Sequence, residues 1–271
     1  MSELRTFSLA SGSSGNCIFV EYKGTRLLVD AGITCKQIID ILADRDIDIK
    51  SIRALLITHE HSDHIKSLLP LVRKFNIPLY INEATFDSVL EKSRIKIDGK
   101  NEILHTLVNT GDRFFIDDLC IHSFPLSHDA VDPMGFRIES ENASLSILTD
   151  CGYVKPEILS VVENSDLVYL EANYDPNMLI NGPYPYPLKR RILSELGHLS
   201  NLDAALNLGK LVYSGTKTIL LSHLSEKNNL PKLAFDTVEC GAKAQGFMMG
   251  RDFEMDISLR HRPSKIRTVT H

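Results

Sequence analysis

Two kinds of hydrophobic pattern alternate along this chain. In the first, segments of four or five mostly apolar residues are bounded by polar or turn-forming residues, which predicts short buried strands. The first 30 residues hold three such runs, at 6–10, 17–21 and 26–29, with Ser and Gly turns between them. The further predicted strands are 54–57, 78–81, several between 103 and 149, then 167–170, 218–221 and 253–257.

In the second pattern, apolar residues recur every three or four positions, which predicts amphipathic helices. The segment with Ile65, Leu68, Leu69 and Val72 is the clearest example. The other predicted helices lie around 38–42 and at 156–162, 188–196, 201–213 and 230–244. Strands followed by helices occur twice, and no linker divides them, so we expect an α/β protein with two packed sheets and helices outside. We assign residues 1–258 to one domain and 259–271 to a basic C-terminal tail.

Composition narrows the range of partners and locations. The 271 residues carry a net charge of −5, so any contact with nucleic acid requires a local basic surface or bound metal. The five cysteines form no CxxC pair, which favours reduced thiols and a cytoplasmic protein. The first residues lack the pattern of a signal peptide, and no apolar run reaches 18 residues, so we expect no membrane association.

A cluster of metal-binding side chains directly follows the strand 54–57. His59 and His61 point the same way in an extended segment and can share one ion, whereas Asp63 and His64 lie past the turn and can face a second. Imidazole and carboxylate groups suit Zn²⁺, Mn²⁺ or Fe. The alternative is a solvated polar loop in which the histidines occur by chance, but the spacing strongly favours a metal site.

Three further candidate ligands each follow an apolar strand. His128 comes after the strand 121–126, Asp150 after 146–149 and His223 after 219–222. Each alone would more often be a solvated or structurally satisfied residue. Together with the histidine cluster, they predict that several strands deliver ligands to the same edge of the fold.

These residues resemble the metallo-β-lactamase superfamily, which implies a four-layer αββα sandwich that holds two divalent metal ions. By that resemblance His59, His61 and His128 hold one ion, Asp63, His64 and His223 hold the other, and Asp150 bridges them. Asp30 resembles the superfamily's Asp behind the histidine loop, where outer partners orient ligands. The alternative for Asp30 is a turn former before Gly32.

The net charge of the predicted two-metal site indicates the class of substrate that it favours. Two divalent ions contribute +4, and Asp63, Asp150 and a bridging hydroxide remove three of these charges, so the site favours an anion. Two metals roughly 3.5–4 Å apart can activate a hydroxide and stabilise both oxygens of an in-line displacement. This chemistry suits phosphodiesters, but it also suits esters, thioesters and lactams.

Glu171 and His198 favour phosphodiesters. Glu171 ends a predicted strand and His198 precedes a predicted helix. Both resemble the RNA- and DNA-cleaving branches of the superfamily, where the His protonates the leaving oxygen and the Glu holds it. An imidazolium paired with a carboxylate is a suitable general acid near neutral pH. With Asp63, they form the predicted catalytic set; the alternatives are a capping-loop residue for His198 and a surface charge for Glu171.

Most of the chain resembles the YycJ/WalJ family. The segments that carry this resemblance are 11–16, 30–32, 127–130, 181–185, 197–201 and 222–225. The family implies a 5′→3′ DNA exonuclease that is linked to mismatch repair, with DNA and mismatch-repair proteins as partners. The oligomeric state stays open.

Two segments are candidates for contact with the substrate. Ser13, Ser14 and Asn16 lie in a Ser/Gly loop that either cradles a phosphate or forms a plain tight turn. A stiff aromatic and basic segment could stack on bases and bind phosphates, or simply form a structured loop. Its candidate residues are Tyr184, Lys189, Arg190 and Arg191. The tail 259–271, with four Lys or Arg and no acid, either binds nucleic acid or is a free end.

Three other functions compete with a DNA exonuclease. An RNA-processing nuclease with the β-CASP insert would need more than the 72 residues between Asp150 and His223. A small-molecule hydrolase, such as a cyclic phosphodiesterase or thioesterase, is a second alternative, and Glu171 and His198 favour the nuclease over it because an RNA or DNA leaving oxygen needs a proton. A metal-binding scaffold without activity is disfavoured because all seven predicted ligands are present.

Overall fold

Two seven-stranded sheets form the centre of the protein in a computed structural model that describes residues 3–93 and 103–269. In chain order, the strands are β1 (Leu4–Ala10), β2 (Cys17–Tyr22), β3 (Thr25–Val29), β4 (Ile52–Leu56), β5 (Leu79–Ile81), β6 (His105–Leu107), β7 (Arg113–Ile116), β8 (Leu119–Pro125), β9 (Met134–Glu139), β10 (Ser144–Leu148), β11 (Leu167–Glu171), β12 (Thr218–Ser222), β13 (Glu254–Ile257) and β14 (Arg267–Val269). The first sheet has the order β14-β1-β2-β3-β4-β5-β6, and the second has the order β13-β12-β11-β10-β9-β8-β7.

Helices cover the outer faces of both sheets. They are α1 (Cys35–Ala43), α2 (Ser62–Ile65), α3 (Leu68–Phe75), α4 (Glu83–Ser93), α5 (Pro156–Val162), α6 (Pro176–Asn181), α7 (Tyr186–Ile192), α8 (Asn201–Ser214) and α9 (Pro231–Ala244). A core cluster joins the outer face of the first sheet to α1, α3 and α4, and another joins the second sheet to α5, α8 and α9. The α/β class and the four-layer αββα sandwich predicted from sequence are therefore confirmed.

Successive residues of a single strand face opposite sides of its sheet, so each strand contributes to two layers of the core. In β2, Phe19 packs toward the helices, whereas its neighbours Ile18 and Val20 pack between the sheets. In β11, Tyr169 faces the other sheet and Leu170 faces the helices. Because both faces of these strands are covered, the sequence reads as a continuous apolar run rather than as alternating polar and apolar residues.

Parallel pairing brings the carboxyl ends of several strands to one edge of the sandwich. In the first sheet β3, β4 and β5 are parallel, and in the second β10, β11, β12 and β13 are parallel. Just beyond three of these ends, Asp30, Asp150 and His223 adopt φ values of 62°, 57° and 57°. Left-handed backbone is uncommon outside glycine and turns the chain sharply where each strand ends.

The prediction of one continuous helix across Ile65–Val72 was wrong, because this segment forms two helices, α2 and α3. The break occurs at Ser67, whose N–H donates to the Ala31 carbonyl at 2.8 Å and whose hydroxyl donates to the Ile33 carbonyl. The helix predicted at 188–196 begins two residues earlier and ends at Ile192, four residues earlier. Helices α4 and α6 and strand β14 were not predicted.

The segment set apart as a basic tail lies against the first sheet. Strand β14 pairs antiparallel with β1, and Ser264 exchanges hydrogen bonds with the backbone of Ser8 at 2.9 Å. No helix in the part of the chain that the structure describes has both the length and the apolar character needed to cross a bilayer.

Candidate metal centre

The histidine loop after β4 is held by backbone contacts with two other turns. The N–H of Asn16, in the Ser/Gly loop, donates to the Asp63 carbonyl at 2.8 Å, and the N–H of Ala31 donates to the His64 carbonyl at 2.7 Å. Gly32 lies where these turns meet, and a Cβ there would lie 1.6 Å from the Asp63 carbonyl oxygen. The site therefore depends on three backbone segments in close contact.

Three imidazoles form the first potential metal site. His59, His61 and His128 each present a ring nitrogen within 4.8 Å of the others. The His61 Nδ1 and His128 Nε2 atoms are 3.3 Å apart. Two nitrogens bound to one tetrahedral zinc at about 2.0–2.1 Å would be separated by roughly 3.3 Å, so the pair has the spacing of ligands to a shared ion.

A carboxylate and two imidazoles form the second potential site. The Asp63 Oδ2 atom lies 3.6 Å from His64 Nε2 and 3.5 Å from His223 Nε2. One potential ligand atom from each of these three residues lies within 4.8 Å of the other two.

Asp150 lies between the two groups and is fully buried. Its Oδ1 atom is 3.6 Å from His128 Nε2, and its Oδ2 atom is 3.1 Å from His64 Nε2. One carboxylate oxygen thus faces each group, which is the arrangement that a bridging ligand requires.

The remaining ring nitrogens are occupied by partners that fix the orientation of each ring. His59 Nδ1 lies 3.0 Å from the Thr58 hydroxyl, His64 Nδ1 lies 2.8 Å from Asp30 Oδ2, and His128 Nδ1 lies 3.1 Å from the Gly197 carbonyl. Such contacts select the tautomer that leaves the inner nitrogen free to bind a metal. Asp30 also accepts hydrogen bonds from the Thr58 N–H and hydroxyl, so it supports the loop as well as the ring.

Unpartnered buried atoms test whether the residues fit divalent ions. Among the described residues, His59 Nε2, His223 Nε2 and Asp150 Oδ2 are buried without a hydrogen bond of good geometry, although Asp150 Oδ2 lies 3.1 Å from His64 Nε2. A buried polar atom without a partner is costly, and all three point to the same centre. The donor set of imidazoles and carboxylates suits Zn²⁺, Mn²⁺ or Fe, so the residues fit the group that the resemblance implies.

The pKa shifts show how much negative charge is concentrated here. Burial lowers the pKa of His223, but Asp150, Asp63 and Glu171 more than reverse this and raise it to about 10. Burial likewise opposes the charged form of His64, yet Asp30 and Asp150 raise its pKa well above the usual range. Carboxylates strong enough to hold protons on buried imidazoles would also attract divalent cations.

Glu171 joins the metal ligands to His198. Its Oε1 atom accepts from His198 Nδ1 at 2.8 Å and from His223 Nδ1 at 2.9 Å. Its Oε2 atom accepts from the N–H groups of Cys151 and Leu199. Because Nδ1 of His198 is bonded to Glu171, its Nε2 is the nitrogen left for proton transfer, and 15% of the side chain is exposed.

The Ser/Gly loop reaches the centre through Asn16. Its side-chain amide lies 3.3 Å from Asp63 Oδ2 and 3.0 Å from His64 Nε2. Ser13 and Ser14 are exposed and line a groove of about 670 Å³ that also contains His61 and Asp63. The structure therefore brings all three predicted loop residues to the metal centre or its groove.

The aromatic and basic segment is less available than predicted. Arg191 forms a two-pronged ion pair with Asp129, and Lys189 donates to the Ile180 carbonyl at 2.7 Å. Tyr184 packs against the small cluster around Tyr174. Arg190 is exposed. The charge of Arg191 is thus partly used to hold the loop that carries His128.

Two supporting residues were missed in the sequence. Glu60 is buried, and its carboxylate accepts from the Val131 N–H at 3.2 Å, which ties the His128 loop to the histidine cluster. Asn173 donates to the His223 carbonyl at 2.8 Å. The signal for Asn173 was its place two residues after Glu171; nothing in the pattern around Glu60 separated it from a solvated charge.

A cavity larger than the groove beside Asp63 lies away from the centre. It measures about 770 Å³ and lies beside the β9–β10 turn, at the opposite ends of the strands. None of the predicted site residues lines it.

Comparison with known proteins agrees with this geometry. Residues 25–224 match the family model for the beta-lactamase superfamily domain. The chain is 38% identical to exodeoxyribonuclease YycJ of Bacillus anthracis over 262 residues, covering 96% of this chain and 97% of that protein. It is 41% identical to exodeoxyribonuclease WalJ of Streptococcus pneumoniae (strain D39) over 249 residues, covering 91% of each chain.

Solved structures show the same fold at low sequence identity. The metallo-beta-lactamase fold protein YhfI from Bacillus subtilis has a TM-score of 0.71 at 16% identity, covering 99% of this chain and 100% of that one. A diphosphatase from the PhnP family has a TM-score of 0.67 at 16% identity, with the same coverage. These two likenesses concern the fold alone.

Proposed function

The chain belongs to the beta-lactamase superfamily and, within it, to the YycJ/WalJ family, and from this premise we propose that it is a metal-dependent exonuclease that acts on DNA. Its relatives over more than nine-tenths of the chain are named exodeoxyribonucleases. The single observation that carries the proposal is the contact between Glu171 and His198 beside the metal ligands. A thioester would have less need of that acid, because a thiolate leaves without a proton whereas the alkoxide of a phosphodiester is a poor leaving group unless it is protonated.

The residues divide into three roles. His59, His61 and His128 would hold one ion, Asp63, His64 and His223 the other, and Asp150 would bridge them. When bound, two divalent ions would supply Lewis acidity, which lowers the pKa of water and neutralises charge on the phosphate. Asp63 would orient the attacking water, and its side chain, 21% exposed, is open to solvent.

His198 would act as the general acid. In its protonated form, it donates a proton from Nε2 to the oxygen that leaves the phosphorus, while Glu171 stabilises the imidazolium through Nδ1. Glu171 also accepts from His223, so one buried carboxylate would orient both a metal ligand and the acid.

The finer parts of the proposal rest on resemblance to the family. These are the 5′→3′ direction and the link to DNA mismatch repair and its proteins; a cytoplasmic location is proposed from the unpaired cysteines instead. Ser13, Ser14 and Asn16 would contact the strand in the groove beside Asp63. Tyr184, Lys189, Arg190 and Arg191 would add further contacts, and the exposed Arg190 is the most available of these four.

Two alternatives keep some support. A ribonuclease Z from Methanopyrus kandleri is 30% identical over 129 residues, 45% of this chain, which favours RNA as the competing substrate. A small-molecule phosphodiesterase would use the same metal ligands without the groove.

End-labelled DNA tests the proposal. With Mn²⁺, we expect duplexes labelled at the 3′ end to shorten progressively and duplexes labelled at the 5′ end to release a labelled mononucleotide at once. Asp150→Asn should be inert, and Asp40→Asn, on the exposed face of α1, should match the wild type. If the wild type leaves both DNA and RNA intact but hydrolyses bis(p-nitrophenyl) phosphate, the small-molecule alternative is correct.

A further inference from the structure

A second cavity, of about 150 Å³, adjoins the groove of the metal centre. Its polar lining consists of Ser14, Gln37, Lys66, Arg260 and His261. Ser14 and Lys66 also line the 670 Å³ groove that contains Asp63, so the two spaces share a wall. We call this cavity the Arg260 pocket.

The Arg260 pocket contains cationic groups with little opposing charge. The Arg260 side chain is only 13% exposed, and the nearest carboxylate oxygen, Glu226 Oε2, lies 3.9 Å from its Nη1 atom on a side chain that is 58% exposed. Lys66 forms no ion pair with any described residue. A guanidinium held in a partly desolvated place without a close counter-charge favours binding of an anion.

Arg260 is fixed in position by three contacts. Its Nη2 donates to the Leu224 carbonyl at 2.6 Å, and its Nη1 lies 3.1 Å from the Ser13 hydroxyl and 3.5 Å from that of Ser14. Within the described chain, the N–H groups of Ser13 and Ser14 donate to no protein acceptor. The Ser14 hydroxyl and the guanidinium, which both line the pocket, therefore lie on one side of it beside the free amides of the loop.

Residues that line the Arg260 pocket are close in sequence to residues of the metal centre. Asn16, two residues after Ser14, contacts Asp63 Oδ2, and Lys66 lies two residues after the potential ligand His64. If the terminal anionic group of a ligand were bound in the Arg260 pocket, the next groups of the same ligand would thus lie at the metal centre.

We propose that the Arg260 pocket binds the terminal phosphate of the DNA strand whose end is being degraded; this inference rests on the proposed function. A terminal phosphate carries close to two negative charges near neutral pH, and an internal phosphodiester carries one. The guanidinium N–H groups of Arg260 that Leu224, Ser13 and Ser14 do not use, together with the Lys66 ammonium and the free amides, can donate to three phosphate oxygens. The pocket would therefore select a phosphorylated 5′ end and set the position of the first bond to be cut.

Binding without catalysis tests this assignment. Two duplexes that differ only in a 5′-phosphate or a 5′-hydroxyl group, each with a fluorophore at the 3′ end, are titrated in EDTA and followed by fluorescence anisotropy. We expect the wild type to bind the phosphorylated duplex about tenfold more tightly. Arg260→Gln and Lys66→Gln should each lose most of that preference, whereas Arg262→Gln, an exposed neighbour, should keep it.

The possible outcomes distinguish a failure of the pocket assignment from a failure of the proposed nuclease function. Equal affinity of the wild type for both duplexes would overturn the assignment, as would an equal loss for both in Arg260→Gln, which would indicate an internal phosphate or a purely structural role. Lys66→Gln is the safer variant, because Lys66 is exposed and no backbone contact depends on it. A wild type that prefers the 5′-phosphate but hydrolyses no DNA would refute the proposed function and leave the pocket in place.

Discussion

At the scale of single residues, Glu171 connects most of the chemistry. It is completely buried, yet four donors reach its two oxygens: the rings of His198 and His223 and two backbone N–H groups. Burial alone would raise the pKa of the Glu171 carboxyl, but His198 and His223 lower it overall, so Glu171 remains an anion that can support an imidazolium.

The role of His198 as an acid gives a prediction that separates it from a ligand. His198→Ala should reduce kcat on DNA by about 10²–10⁴-fold, the usual contribution of general acid catalysis. Its metal content, measured by elemental analysis, should equal that of the wild type. The rate on bis(p-nitrophenyl) phosphate should fall much less, because nitrophenolate leaves without a proton. Loss of bound metal in the variant would show instead that His198 is a ligand.

Asp30 supports the metal site without facing it. Its φ of 62° is tolerated by Asn as well as by Asp, so Asp30→Asn keeps the backbone while it removes the charge that holds His64. We expect metal affinity to fall by about 10–100-fold, measured by competition with a chelator. Asp40→Asn serves as the control on an exposed position. An unchanged affinity in Asp30→Asn would mean that the His64 ring is oriented by the fold alone.

At the scale of secondary-structure elements, the candidate metal site forms where three turns contact one another, and not where helices pack. The turn after β3, the Ser/Gly loop and the histidine loop exchange backbone hydrogen bonds of 2.7–2.8 Å. These contacts take the Asp63 carbonyl out of the helix, since it accepts from Asn16 instead of from Ser67. The break between α2 and α3 is therefore part of how the ligands are positioned.

Gly32 makes this close contact possible, which gives a prediction at the same scale. In Gly32→Ala, the new methyl would collide with the Asp63 backbone, so we expect lower thermal stability and loss of metal binding together. Gly24→Ala provides the comparison, because it introduces strain at φ 85° but meets no atom within 4 Å. It should lower stability by about 1–2 kcal/mol and leave metal affinity unchanged. Normal metal affinity in Gly32→Ala would contradict this account of the turn.

Some of these elements could be predicted from the sequence and others could not, and the difference has a physical reason. Strands such as β10 and β12, which are buried on both faces, leave an apolar run that ends at a ligand, so both the strand and its Asp150 or His223 could be located. The break at Ser67 and strand β14 depend on partners far away in the chain, Ala31 and β1, which local periodicity does not contain. The ion pair of Arg191 with Asp129 is invisible in sequence for the same reason.

At the scale of the whole molecule, two sheets with parallel strands bring ligands from both halves of the chain to one edge. Residues between positions 59 and 64 come from the first sheet, and His128, Asp150 and His223 come from the second. The fold and the family could be predicted from these ligands because their spacing and their places after strands are specific. The Arg260 pocket could not, because it forms only when the C-terminal segment packs beside the Ser/Gly loop.

The proposed activity requires that DNA hydrolysis take place at a centre of two metal ions that Asp150 would bridge. Its most direct test is to titrate Mn²⁺ into metal-free protein while bound metal and release of nucleotides from duplex DNA are measured together. We predict that hydrolysis appears as occupancy approaches two ions per chain and that Asp150→Asn shows no hydrolysis at any metal concentration. Full activity in the metal-free protein, or in Asp150→Asn, would contradict the claim.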